Sequence, residues 1–433
     1  MANKKSNILP IVVMYLLFFM IAFVTNLCNP MAVIVKNNFA MSNFAAQLGN
    51  AANFIAYAAM GIPAGMLLKK IGYRKTALVA ILVGFVGVFL QYMSGWATIQ
   101  SFWVYLAGAF TAGFCMCMLN TVVNPMLNTL GGGGNKGNQL VQFGGVCNSL
   151  AAVLVTIIMG SLIADATKAQ IADATPALMI ALGVFAFAFI VLLLVKIPEP
   201  SLESEKVNVE NEKKYSAFSF RHFNLGILAI FLYMGVEVGV PTYVMQYLTT
   251  SPEAATPGLG INAGIVGMIV AVYWLLMLIG RLLGGMIGGK VSSRAQITGV
   301  SIFCLVLVLL GMFLPADVMV KMPGIDWATL TVMTAQVPVG VFALILVGLC
   351  TSVMWGGIFN MAVEGLGKYT SIASGAFMTM VCGGGILIPL QGKLADVFGN
   401  FQMSYIVVLA CTAYILFYAL VGSKNVNKNI PTE

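Results

Sequence analysis

The stretch 196–222, KIPEPSLESEKVNVENEKKYSAFSFRH, is the longest polar break in a chain of 433 residues, and its place decides how the rest is read. It holds Pro198 and Pro200, the glutamates Glu199, Glu203, Glu205, Glu210 and Glu212, and the cations Lys196, Lys206, Lys213, Lys214 and Arg221. On both sides the sequence turns apolar. Reading breaks against apolar runs gives twelve candidate spans: 10–35, 43–68, 76–95, 100–126, 139–163, 175–195, 223–249, 263–288, 296–316, 332–360, 370–391 and 402–422. Six precede the polar stretch and six follow it. The expected organisation is a six-helix half at 1–195, a linker at 196–222 and a second six-helix half at 223–433. Each span is long enough to cross a hydrocarbon layer of about 30 Å.

Composition supports the same reading. The chain is 60% hydrophobic and 8% charged, whereas soluble domains carry about 25% charged residues. So little charge cannot coat a water-exposed surface, and disorder would need the opposite balance. The 46 glycines show no three-residue period, which removes collagen. An outer-membrane barrel would show alternating strands of ~10 residues, and none is present. What remains is an all-α membrane protein with twelve transmembrane helices. Lys4 and Lys5 before an apolar run imitate a signal peptide, but the run continues uncharged to Val35, too long for a cleavable segment.

The net charge of +8 lies in the breaks between spans, so it reports membrane topology rather than affinity for nucleic acid. With the N-terminus in the cytoplasm, seventeen Lys and Arg fall in inner segments and four in outer loops, with Arg281 left inside a span. The positive-inside rule therefore places both termini in the cytoplasm. The eight cysteines lie in or beside apolar segments with no metal-ligand spacing, and read as small buried thiols. His222, the sole histidine, is expected at the membrane interface where the linker enters span seven.

Several spans carry amides. Span one contains Asn26 and Asn29, three apart on one helix face, followed by Pro30, which removes a backbone donor and should loosen the turn before it. Span two carries Gln47, Asn50 and Asn53; span four carries Asn120, Asn124 and Asn128 around Pro125; span five carries Gln139, Gln142 and Asn148. Buried amides need partners, and helix–helix hydrogen bonding supplies one account of them. The other is a hydrated cavity for a neutral, hydroxyl-rich ligand, because these polar faces lack carboxylates. Aromatic residues Tyr233, Tyr243, Tyr247, Tyr273, Trp274 and Trp355 lie in or near spans seven, eight and ten. Trp274 and Trp355 are deep enough to stack on a sugar ring or gate access to it.

Two formal charges sit deep in apolar runs, Glu237 and Arg281. At 1.5 Å per residue, Glu237 lies about 21 Å and Arg281 about 10 Å from the cytoplasmic ends of their spans, which argues against a direct pair. Three roles stay open for Glu237: proton carrier, ligand for sugar hydroxyls, or neutral packing. Arg281 is expected to organise cytoplasmic-side contacts. Glycines and the cations Lys69, Lys70, Arg74 and Lys75 mark a tight turn between spans two and three, held at the anionic leaflet. Gly131–Gly134 lacks phosphate-loop spacing and reads as a flexible turn. No nucleophile–base constellation points to an enzyme.

A linker between two six-helix halves is the layout of an alternating-access carrier. The individual motifs agree. Ile62-Pro63-Ala64-Gly65 followed by Leu67, Lys69 and Lys70; Asn120-Thr121-Val122-Val123-Asn124-Pro125; Arg281 with Gly284-Gly285; Trp355-Gly356-Gly357-Ile358-Phe359-Asn360; and Gly383-Gly384-Gly385-Ile386 before Pro389 occur in order along the chain. Through them the chain resembles major facilitator superfamily carriers, specifically the bacterial L-fucose and glucose/galactose permease branch. The resemblance implies sugar transport through twelve helices in two pseudo-symmetric halves. Fucose carriers of that family couple transport to protons and place an aspartate in span one and a glutamate in span four. Asn29 and Asn120 fill those positions here, and an amide cannot cycle a proton. Coupling then falls to a proton on Glu237, to sodium, or to neither.

The expectation is an inner-membrane carrier of a neutral hexose or related monosaccharide, functional as a monomer in membrane lipid, with no cofactor beyond a possible coupling H+ or Na+. Asn26, Asn29, Asn120, Asn124, Gln142, Glu237 and Asn360 are the expected ligands, with Trp274 and Trp355 stacking or gating. Two alternatives differ in kind: a carrier of another neutral metabolite such as a nucleoside, and a non-transporting membrane sugar sensor.

Overall fold

In lipid every backbone N–H and C=O must find its partner within its own segment, so long apolar runs fold as helices. The computed structural model describes residues 8–39, 48–162, 170–195, 197–199, 215–261, 263–326, 329, 331–427 and 429–432. Most of the expected linker, 200–214, lies outside the described residues. The helices are α1 (Ile8–Asn38), α2 (Leu48–Met93), α3 (Phe102–Leu130), α4 (Gly134–Leu162), α5 (Thr175–Leu194), α6 (Arg221–Thr249), α7 (Ala263–Gly288) and α8 (Ser293–Phe313). After a β-hairpin come α9 (Val339–Thr351), α10 (Met354–Val363), α11 (Thr370–Thr379), α12 (Gly383–Phe398) and α13 (Ile406–Phe417). Among the described residues, ten helical stretches are long and apolar enough to cross a membrane. α4, 29 residues long, is a further helix of membrane-spanning length.

Three expectations need correction or refinement. The run 332–360 does not start as helix: β1 (Met319–Asp326) and β2 (Thr331–Pro338) pair antiparallel, Met319 opposite Pro338 and Asp326 opposite Thr331, and helix begins only at Val339. β2 is rich in Val and Thr and alternates in exposure, a period-two pattern hidden at the edge of an apolar run. Spans two and three run on as one 46-residue element, broken only at Gly72, whose φ of 83° needs a residue without Cβ. Pro30 does not interrupt α1, which continues to Asn38.

The turn at Gly72 is held from the other side of the sequence. Glu199 accepts from the Tyr73 and Arg74 amides at 2.6 and 2.9 Å, capping the segment that follows. Arg74 donates to the Leu192 and Leu193 carbonyls at 3.0 and 2.6 Å, so this cation caps the end of α5 instead of serving only the lipid surface. His222, expected at the interface, is buried, its Nε2 3.0 Å from the Glu364 carbonyl. The C-terminal residues close over the same end: the Arg221 amide donates to Asn427 Oδ1 at 3.0 Å and the Lys368 amide to the Thr432 carbonyl at 3.1 Å. This end, carrying the 72–75 turn, Glu199 and the C-terminal residues, is called the terminal side below.

Candidate transport site

Helices from before and after the linker meet along a seam on the terminal side. α2 packs on α11 with almost no space between backbones: a Cβ on Gly65 would lie 2.9 Å from the Ser371 carbonyl and one on Gly375 would lie 2.4 Å from the Gly61 carbonyl. Small residues are what allow such an approach in lipid. α4 packs on α7 in the same way, a Cβ on Gly285 falling 2.9 Å from the Phe143 ring.

Proline shapes the polar groups along this seam. Pro125, inside α3, has no N–H for the carbonyl four residues earlier, that of Thr121. Ser374 of α11 donates its hydroxyl to that freed carbonyl at 3.1 Å. Pro241 in α6 likewise frees the Glu237 carbonyl, which accepts from the Tyr273 hydroxyl of α7 at 3.0 Å. Nothing in the amide pattern pointed to Pro241; its position, four residues after the buried carboxylate, was the available signal.

The tenth expected span is discontinuous. α9 ends at Thr351 and α10 starts at Met354, leaving carbonyls at the break for other groups. The Tyr233 hydroxyl donates to the Thr351 carbonyl at 3.3 Å, and Gln142 Nε2 donates to the Val353 carbonyl at 2.9 Å. Just beyond the break, the Trp355 indole donates to Asn124 Oδ1 at 3.2 Å. Asn124 Nδ2 in turn donates to the Asn120 carbonyl at 2.9 Å, and Asn120 Nδ2 to the Tyr57 hydroxyl at 2.9 Å. Asn120, Asn124, Gln142 and Trp355 are thus brought together, with Tyr57 added from α2. Tyr233 and Phe377 wall the indole with ring centroids 6.2 and 6.1 Å away.

The remaining expected residues lie elsewhere. Asn26 spends its Nδ2 on the Ala22 carbonyl of its own helix at 2.8 Å. Asn29 lies within α1, its side chain outside the described residues, as are Gln47 and the side chain of Asn50. Trp274 packs edge-on against Tyr273, centroids 5.2 Å apart. Asn360 donates to Ser293 Oγ at 2.8 Å and lines a terminal-side cleft of about 180 Å³ with Asn135, Arg294 and Glu364.

The two deep charges are paired, contrary to expectation. Arg281 Nη2 lies 3.3 Å from Glu237 Oε1, with side chains 10% and 13% exposed. Counting rise along straight parallel helices overstated the separation, because it neglected helix tilt and the reach of the two long side chains. Arg281 Nη1 also donates across the seam to the Gly145 carbonyl, Asn148 Oδ1 and Ser149 Oγ at 3.2, 3.2 and 2.7 Å. An unpaired guanidinium in such surroundings would be costly, and four acceptors remove that cost.

Long apolar helices thus surround a buried amide cluster, with the deep charges neutralised in place. The sequence matches the family model of the Major Facilitator Superfamily over residues 14–389, and the chain belongs to that superfamily. It is 27% identical over 429 residues to a glucose/galactose transporter of Brucella abortus, covering 98% of this chain and 96% of the relative. It is 29% identical over 436 residues to a putative glucose/galactose transporter of Helicobacter pylori, covering 98% of each. Its fold matches that of a solved superfamily transporter, FucP, in the outward conformation, with a TM-score of 0.79 at 22% identity over 97% of this chain and 100% of the other. The protein is a multi-pass membrane protein and a secondary transporter of a small molecule, built on the alternating-access fold, with homology to sugar permeases.

Proposed function

We propose that the protein carries a neutral hexose or related monosaccharide across the inner membrane, with the sugar bound between two pseudo-symmetric halves, 1–195 and 223–433. Taking α2 as two spans about Gly72 and adding α4 to the apolar helices gives twelve spans. Symmetry between the halves is supported by paired glycine contacts. In span five Gly144 meets Phe18 of span one and Gly145 meets Arg281 of span eight; in span eleven Gly383 meets Phe231 of span seven and Gly384 meets Phe54 of span two. With the termini in the cytoplasm, the closed seam faces the cytoplasm.

One observation carries the sugar reading: the indole of Trp355 and the amide of Asn124 are joined at 3.2 Å beside Asn120 and Gln142. Amides exchange hydrogen bonds with hydroxyls, and an aromatic face covers a pyranose ring. Asn26, Asn29 and Trp274 complete the proposed ligand set, Asn360 being committed to Ser293 on the terminal side, and Glu237 contributes its second carboxylate oxygen to a hydroxyl or to a coupling proton. Coupling to H+ through Glu237, coupling to Na+ through amide and carbonyl oxygens, and uniport are the three modes consistent with this chemistry.

Uptake by proteoliposomes tests the reading: saturable flux of at least one neutral hexose is expected, and its absence across a broad panel rejects it. Running the panel with and without sodium, and with an imposed pH gradient, separates the coupling modes. Counterflow separates a carrier from a sensor, because only a carrier exchanges labelled for unlabelled sugar.

A further inference from the structure

Arg281 is a charged side chain whose hydrogen bonds span the seam. Its Nη1 acceptors, the Gly145 carbonyl, Asn148 Oδ1 and Ser149 Oγ, all belong to α4, before the linker. Its Nη2 partner, Glu237, belongs to α6, and Arg281 itself to α7, so both lie after the linker. Gly145 makes the approach possible, because a Cβ there would stand 3.1 Å from Arg281 Cδ. The other bonds beside it are neutral: Gln142 to the Val353 carbonyl and Trp355 to Asn124. Charge-assisted bonds are roughly twice as strong as neutral ones, so among these bonds the guanidinium supplies the strongest tie.

Opening the seam moves α4 away from α7 and takes all three acceptors from Nη1 together. The Glu237 pair does not cross the seam and survives the movement. The guanidinium therefore keeps a counter-ion in both states and its α4 acceptors in only one.

We propose that Arg281 is the latch of the terminal-side gate, a positioning residue that holds α4 against α7, with Glu237 as the resident counter-ion that keeps it aimed across the seam. This rests on the alternating-access reading and not on the identity of the sugar.

Two variants probe the latch. Arg281→Lys keeps a cation for Glu237 but loses the planar fork that reaches several acceptors. Ser149→Ala removes the shortest acceptor from the opposite side and leaves the ion pair intact. A reporter cysteine at Val141, buried beside Gly356 in the seam, is labelled from the terminal side with a membrane-impermeant thiol reagent and read peptide by peptide. Native Cys304 and Cys350, buried in α8 and α9, report any general loosening of the fold.

The expected result is a rise in V141C labelling of about tenfold in R281K and about threefold in S149A, on the scale of losing one charge-assisted hydrogen bond or part of one. Cys304 and Cys350 stay protected. Unchanged V141C labelling in both variants overturns the latch, and so does a rise matched by Cys304 and Cys350. Hexose flux is measured on the same vesicles. A labelling change in a protein that moves no hexose supports the latch and rejects the sugar reading; hexose flux without a labelling change does the reverse.

Discussion

Ser374 donates its hydroxyl to the carbonyl of Thr121 at 3.1 Å, a carbonyl that Pro125 has left without a helical partner. The proline, on α3, thereby creates a site for a residue of α11 on the far side of the linker. Pro125→Ala supplies the missing N–H and lets the helix reclaim the Thr121 carbonyl. A double-mutant cycle with Ser374→Ala, read as thermal stability in detergent, should show a coupling of about 1 kcal/mol, with S374A nearly silent once Pro125 is gone. Full additivity would separate the two residues.

Trp355→Phe keeps an aromatic ring between Tyr233 and Phe377 but removes the donor to Asn124 Oδ1. Losing one hydrogen bond of about 1 kcal/mol should raise the KM for sugar roughly fivefold, and Trp355→Ala should cost more by emptying the wall as well. Kinetics of uptake in proteoliposomes measure both. A W355F protein with unaltered KM and maximal rate would remove the indole from the site.

Glu237→Gln leaves Arg281 an amide oxygen to donate to, whereas Glu237→Ala leaves it no partner after the linker. Breaking a buried pair costs about 3–5 kcal/mol, so E237A should lower thermal stability well below E237Q. If Glu237 carries the coupling proton, E237Q abolishes concentrative uptake and preserves counterflow. Unchanged accumulation under an imposed pH gradient would reject that role.

At the α2–α11 contact, a Cβ on Gly375 falls 2.4 Å from the Gly61 carbonyl. Backbone cannot yield there as a side-chain tip would, so Gly375→Val should prop the terminal side open. The expected protein inserts in the membrane, loses net transport, and admits impermeant reagents from the terminal side to a cysteine at Ser374. Wild-type transport by G375V would show that the two helices do not come together during the cycle.

Glu199 holds the turn after Gly72 through the Tyr73 and Arg74 amides. Glu199→Ala should cost about 1 kcal/mol, in the range of a lost helix cap, and lower the unfolding midpoint. Gly72→Ala should add a comparable penalty from its φ of 83°. Thermal unfolding of the single variants checks both values.

Much of this was legible in the residues. Long uncharged runs announce membrane helices by length alone, and the amides at 120, 124 and 142 stand out because no carboxylate accompanies them in their spans. Legibility failed where the outcome depended on three-dimensional direction. The Glu237–Arg281 pair was hidden because distance along separate helices does not give distance between side-chain tips. The hairpin at 319–338 was hidden because Val, Thr and Met serve strand and apolar helix alike over a short run. Asn360 belongs by sequence to the Trp355 motif, yet its side chain turns to Ser293 at the terminal side, since residues five apart leave a helix in different directions.

Several acceptors along the seam and beside it are main-chain carbonyls: those of Thr121, Gly145, Glu237, Thr351 and Val353. Replacing the side chain at any of these positions leaves the oxygen in place. An alanine scan of Thr121 or Val353 would thus report on a hydroxyl or an isopropyl group and stay blind to the bond that joins the helices. The hidden half of the network becomes accessible to genetics only through its donors, Ser374, Gln142, Tyr233, Tyr273 and Arg281, or through prolines 125 and 241.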